Sequence, residues 1–163
     1  MKPTLLIVLS LLSFCGAAQN QATTAPAIVT YGNPITLEAA KKIASAAEAF
    51  AVSKQWTVAI AIVDIGGNLV LLEKLDNTQI ASIDIAIGKA KTANNFKRPT
   101  KAMEDAIVGG GAGLRLLALS DIFPLEGGDL ILSNGKIIGA IGVSGMQSVQ
   151  DGEVVRAALA GFK

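Results

Sequence analysis

The sequence predicts an α+β domain, with a five-stranded antiparallel sheet between helices on both faces, three layers in all. Three observations predict it. Two short turns, Ile65–Asn68 and Asn134–Gly135, each join two β-branched runs, and strands joined so tightly are antiparallel neighbours. Apolar residues recur at helical spacing before, between and after those runs. The 163-residue chain is 51% hydrophobic and 17% charged, a composition that packs one core.

The chain opens "MKPTLLIVLSLLSFCGAAQNQ". Lys2 is a short positive region, Leu5 to Phe14 is apolar, and Gly16, Ala17 and Ala18 are small. That order reads as a secretory signal peptide over 1–18, cleaved before Gln19. The apolar run is too short to span a bilayer, which needs about 20 residues. Cys15 is the only cysteine, and Leu12 stands where a lipidation signal needs it. Phe14 is larger than the residue normally found before a lipidated cysteine, so plain cleavage is expected. Export to the periplasm or the exterior follows. Residues 19–33 are small, polar and aperiodic and are expected as a flexible arm, with the domain over 34–163.

The first helix is expected from Pro34 to about Gln55. Thr36 suits its N-cap and Glu38 its first turn, while Leu37, Ala40, Ile43, Ala44, Ala47 and Phe50 share a face. Trp56 to Asp76 reads as two strands about the Ile65–Asn68 hairpin. From Thr78 to Phe96 helical spacing returns, with Ile80, Ile83, Ile87, Ala90 and Ala93 or Asn94 along one side and Lys89 and Lys91 diverging. Thr100 is expected to cap a further helix that ends in the glycine run 109–111. Those glycines follow a helix, so the negative helix end faces them, which is wrong for a phosphate loop. Gly113 to Gly128 leans to strand. Asp129 to Gly145 is a hairpin about Asn134–Gly135, and Ser148 is expected to cap a closing helix.

Composition excludes several chemistries. The formal net charge is +1 and the few aromatic residues are scattered, so nothing points to nucleic acid. There is no histidine, which removes the commonest general base and metal ligand, and with it a Ser-His-Asp triad. "GVSG" around Ser144 is not the GxSxG elbow. No catalytic residue is named, and whether the chain is an enzyme stays open. Most carboxylates suit solvated surface and helix caps. Asp76, at a strand end, and Asp84, inside the apolar "IASIDIAIGKA", are the better candidates. A charge in such a stretch faces solvent, lines a cavity, or pairs with a partner such as Lys89.

Three stretches, "VAIAIVDIGGNLVLLEKLDNT", "ASIDIAIGKAKTANNF" and "LEGGDLILSNGKIIGAIGVSGMQSVQDGEVVRAAL", together resemble the GlcG/HbpS family, from about Pro34 to Phe162. The resemblance implies a profilin-like fold, a homo-oligomer and a small-molecule partner, with haem as the possible cofactor of an exported protein that handles haem or iron. The alternatives to that reading are a small-metabolite-binding enzyme or accessory protein of the GlcG type, or a non-catalytic oligomeric module. Carried over position by position, the family's blocks fall on Lys74, Asp76 and Asn77, on Lys89, Ala90, Thr92 and Ala93, on Gly127 and Gly128, and on Ser144, Gly145, Gln150 and Asp151. With Asp84 and Phe96 added to positions from these blocks, the candidate ligand-binding residues are Asp76, Asp84, Lys89, Thr92, Phe96, Ser144 and Asp151. The chain departs from the family in lacking histidine and in carrying Asp129-Leu130 after the glycine pair, where a proline is common. An iron ligand would then be Met103, Met146, Tyr31, a lysine or an oxygen donor, or Lys89, Lys91 or Lys97 would pair with the haem propionates. "GAIGVSG" reads as an inner strand whose small residues admit a close-packed helix or a neighbouring subunit.

Overall fold

The computed structural model describes residues 29–162. The expected signal peptide, Cys15 and most of the expected arm lie outside them. Nine elements follow one another: α1 (Leu37–Ser53), β1 (Ala59–Asp64), β2 (Leu69–Lys74), α2 (Ser82–Phe96), α3 (Thr100–Val108), a 3-10 helix (Gly111–Ala118), β3 (Gly128–Ser133), β4 (Lys136–Ser144) and α4 (Ser148–Ala160).

The strands form one antiparallel sheet in the order β2-β1-β4-β3. Both hairpins stand where the turn residues put them. Asp64 Oδ1 accepts from the N–H groups of Gly66 and Asn68 at 2.8 and 2.9 Å, closing the first turn. Asn134 and Gly135 both have left-handed φ, 50° and 73°, as a two-residue hairpin of matching twist requires.

The sheet has two unlike faces. One carries Val58, Ile60, Ile62, Ile131, Ile141 and Val143, covered by α1 through Ala40, Ile43, Ala44, Ala47 and Ala51 and by α4 through Val154, Val155 and Ala158. Each buried isoleucine stabilises by about 2 kcal/mol. The other carries Ala59, Ala61, Val63 and Ala140 against Ala86, Ala90 and Ala93 of α2. Small residues here let backbone meet backbone. A Cβ on Gly142 would overlap the Ala86 carbonyl of α2, so "GAIGVSG" is an inner strand that admits a helix.

Several expectations need correction. Four strands form among the described residues, and the segment expected as a fifth is the 3-10 helix. Gly110 and Gly111 enter it with φ of 71° and 56°, and Gly113 lies against the Ala106 carbonyl of α3. The chain thus folds back on α3 before it can reach the sheet. The buried face of α2 is its alanine face, while Ile80 precedes the helix and is 87% exposed. Thr36 caps α1, its Oγ1 accepting from Ala39 N–H at 3.2 Å. Thr100 and Ser148 are first helical residues behind Pro99 and Gln147. Ordered pairing begins before Pro34: Ile137 N–H donates to Thr30 O at 2.9 Å and Gly32 N–H to Ile137 O at 2.7 Å. The described end of the expected flexible arm is therefore bound along β4.

Candidate functional site

Three of the residues implied as ligand-binding, Lys89, Ser144 and Asp151, are brought together at the C-terminal end of β4. Lys89 points from α2 into the protein, and its ammonium donates to Asp151 Oδ2 at 2.9 Å and to Val143 O at 3.0 Å. Both side chains are 2% exposed. Asp151 Oδ1 accepts from Met146 N–H at 3.0 Å. Burial pushes the Asp151 carboxyl above the usual carboxylate range, against the pull of the Lys89 ammonium and of the Met146 and Gly145 N–H groups. The pair joins the helix on one face of the sheet to the helix on the other. Gly127, with φ of 121°, makes the space: a Cβ there would stand 2.7 Å from Val143 O and 2.8 Å from Lys89 Nζ. Buried and paired with each other, Lys89 and Asp151 hold the layers together. Lys89 does not diverge from the buried side, and its partner is Asp151 and not Asp84.

The remaining candidates are dispersed. Asp84 is exposed, and Phe96 is half-buried at the end of α2. Thr92 is buried and its Oγ1 accepts from Phe123 N–H at 2.9 Å. Ser144 is buried opposite Ala59. Asp76 is exposed at the rim of a cavity of about 490 Å³ with Glu48, Val52, Gln55, Trp56, Lys74 and Leu75. That cavity is polar and leans acidic. Beside it, burial and then the Glu48 carboxylate push Glu73 above the usual range.

A different place has the shape of a binding groove. β3 is an edge strand, and its outer side meets Pro99, before α3, and the last turns of α4. Pro99, Asp129, Leu130, Leu132, Leu159 and Phe162 line a cavity of about 430 Å³. Pro99 and Asp129 also line an adjoining one of about 220 Å³, whose walls add Lys101, Glu126, Gly127, Val155 and Arg156. Sharing Pro99 and Asp129, the two adjoin as one groove. Its Leu159–Phe162 end is apolar, and its other end carries two ion-paired cations, Lys101 beside Asp105 and Arg156 beside Glu126. Arg156 Nη1 donates to Glu126 Oε1 at 2.7 Å and remains 57% exposed. Asp129 stands at the junction. Burial raises its carboxyl above the usual range, with the Leu130 N–H and the Arg156 charge pulling it down. Sequence reasoning marked Asp129 only as a departure from a family pattern. Leu159 and Phe162 also flank the core shared by α1 and α4.

No helix among the described residues is long and apolar enough to cross a membrane, and no three metal-ligating side chains among them converge.

Residues 35–160 match the family model described as haem degrading protein HbpS-like. An uncharacterised 15.0 kDa protein from the dhaT-dhaS intergenic region of Citrobacter freundii is 40% identical over 127 residues, covering 77% of this chain and 89% of that protein. GlcG of Escherichia coli K12 is 35% identical over 110 residues, 68% of this chain and 81% of that one. Among solved structures, a double mutant of HbpS from Streptomyces reticuli superposes with a TM-score of 0.72 at 29% identity, covering 84% of this chain and 96% of the other. The PduOC–haem complex superposes with a TM-score of 0.71 at 26% identity, covering 78% and 94%.

Proposed function

The chain belongs to the haem-degrading HbpS-like family, and on that premise we propose that it binds haem or a related tetrapyrrole in the groove between β3 and α4. The observation that carries this reading is the groove's polarity. A tetrapyrrole is a flat apolar disc with two propionates at one edge. The groove offers Leu130, Leu132, Leu159 and Phe162 to the disc, and the exposed ammonium of Lys101 and guanidinium of Arg156, which now pair with Asp105 and Glu126, have donors left to share with the carboxylates. Pockets that hold such ligands are mostly apolar with a few placed charges. The solved haem complex of a relative with this fold supports the choice of ligand. We read the protein as exported, from the charge, apolar run and small residues of 1–18, and as serving haem or iron handling outside the cytoplasm. Exposed Val108, Leu114, Leu117 and Leu119 support self-association, which light scattering would test. A titration with ferric haem tests the main reading. Saturable binding with a defined Soret band is expected, and no saturable binding at micromolar haem would overturn it.

The cavity beside Trp56 favours a second reading, a small polar metabolite held by Gln55, Lys74 and Asp76. A metabolite that raises the melting temperature of the native chain but not of the Asp76→Ala variant would establish it.

A further inference from the structure

We propose that Asp129 supplies the oxygen ligand to the iron when ferric haem occupies this groove. The inference rests on the haem reading above and assigns it a specific atom.

The other donors are committed elsewhere. The chain has no histidine. Met103 is 2% exposed beneath α3, and Met146 packs against the core shared by α1 and α4. The Tyr31 hydroxyl donates to Asn94 O at 2.7 Å. The Lys97 ammonium sits 4.4 Å from the centre of the Tyr31 ring. Lys89 is locked in its buried pair. Lys91 is exposed on α2, which supplies no wall of the groove. Glu126 lines the narrow end but accepts from Arg156.

Asp129 differs from all of these. It lines both halves of the groove. Oδ1 accepts from Leu130 N–H at 2.7 Å, which fixes the carboxylate's orientation. Among the described residues no lysine or arginine comes within ion-pairing distance of it. A half-buried carboxylate that feels only the more distant Arg156 charge and makes no ion pair is incompletely compensated, and a ferric centre bound beside it would relieve that. Iron(III) is a hard acid that favours an anionic oxygen. The apolar walls and the rim cations hold the porphyrin, and the carboxylate engages only the metal.

That division sets the experiment, a titration of the native chain and of Asp129→Asn with ferric haem and with iron-free protoporphyrin IX. Asparagine keeps the size and removes the anionic oxygen. The expected result is that Asp129→Asn lowers ferric-haem affinity at least about tenfold more than protoporphyrin affinity and moves the Soret band. Saturable protoporphyrin binding by the variant also shows that it is folded. Equal haem affinity and an identical ferric spectrum in both proteins would overturn the proposal and leave haem binding standing; Asp129 would then only guard a strand edge against pairing. No binding of either compound by the native chain would overturn the haem reading itself, and this proposal with it.

Discussion

Asp151 and Asp129 are the same residue type on neighbouring elements, and burial raises the carboxyl pKa of both. Their surroundings differ in one respect. Asp151 has an ammonium at 2.9 Å and a backbone N–H at 3.0 Å, with no opening to solvent. Asp129 has one N–H from its own neighbour, the Arg156 charge beyond ion-pairing distance, and the groove in front of it. A buried charge whose hydrogen bonds are complete is part of the framework. One whose bonds are incomplete beside a cavity is available to a ligand. Burial alone does not separate the two, and the count of partners does.

The comparison can be broken most severely on the sealed side. Lys89→Met leaves Asp151 buried without its cation and is expected to cost about 3–5 kcal/mol in urea unfolding. Adding Asp151→Leu removes the stranded charge and should recover most of that loss, to within about 1 kcal/mol of the parent. If the double variant is as unstable as the single, the pair does more than neutralise itself. Next in size, Gly142→Val forces a side chain into the α2 backbone, and a loss of about 2–3 kcal/mol is expected.

The open side should respond in ligand affinity more than in stability. Arg156→Ala strands the buried Glu126 carboxylate and removes a groove cation. We expect about 1–2 kcal/mol lost in unfolding, with weaker haem binding whose deficit shrinks as salt is raised. The smallest effect belongs to Asp129. A carboxyl whose pKa is raised on folding binds its proton more tightly in the folded state, so its contribution to stability falls as pH rises through the folded value. Asp129→Asn removes that loss. The variant should exceed its parent by on the order of 0.5 kcal/mol at pH 7, and the gain should vanish below about pH 4. A residue that costs stability in the free protein is one retained for another purpose.

Much of the architecture was legible because local chemistry and tertiary packing agree. The Asn134–Gly135 pair sets its hairpin, Thr36 caps its helix, and the β-branched runs become strands. The family was legible from short blocks for the same reason. What misled was α2. Ile80, Ile83 and Ile87 outline an apolar stripe, but the surface it meets is made of alanine and glycine, so Ala86, Ala90 and Ala93 are the ones driven inward. Once that face turns in, Lys89 goes with it, and only an acid 62 residues further on explains how it is tolerated. Asp84 attracted attention as a charge in an apolar stretch and simply faces water. The stretch after Gly113 has the composition of a strand, but the glycines before it turn the chain onto α3. The groove was not legible at all, since Pro99, Asp129 and Phe162 are far apart in the chain and no periodicity links them.

The lysine–aspartate contact through the sheet also bears on the order in which the protein can be completed. Any form that has laid α2 on the sheet but not yet docked α4 keeps an ammonium under a helix with only the Val143 carbonyl to receive it. Such a half-built form is penalised, so neither layer gains by closing ahead of the other. The sheet and both its coverings should therefore appear and disappear together. Shortening the last helix should abolish the first hairpin as surely as it frees the final turn, and amides in α2 and α4, on opposite sides of the molecule, should exchange with solvent at a common rate.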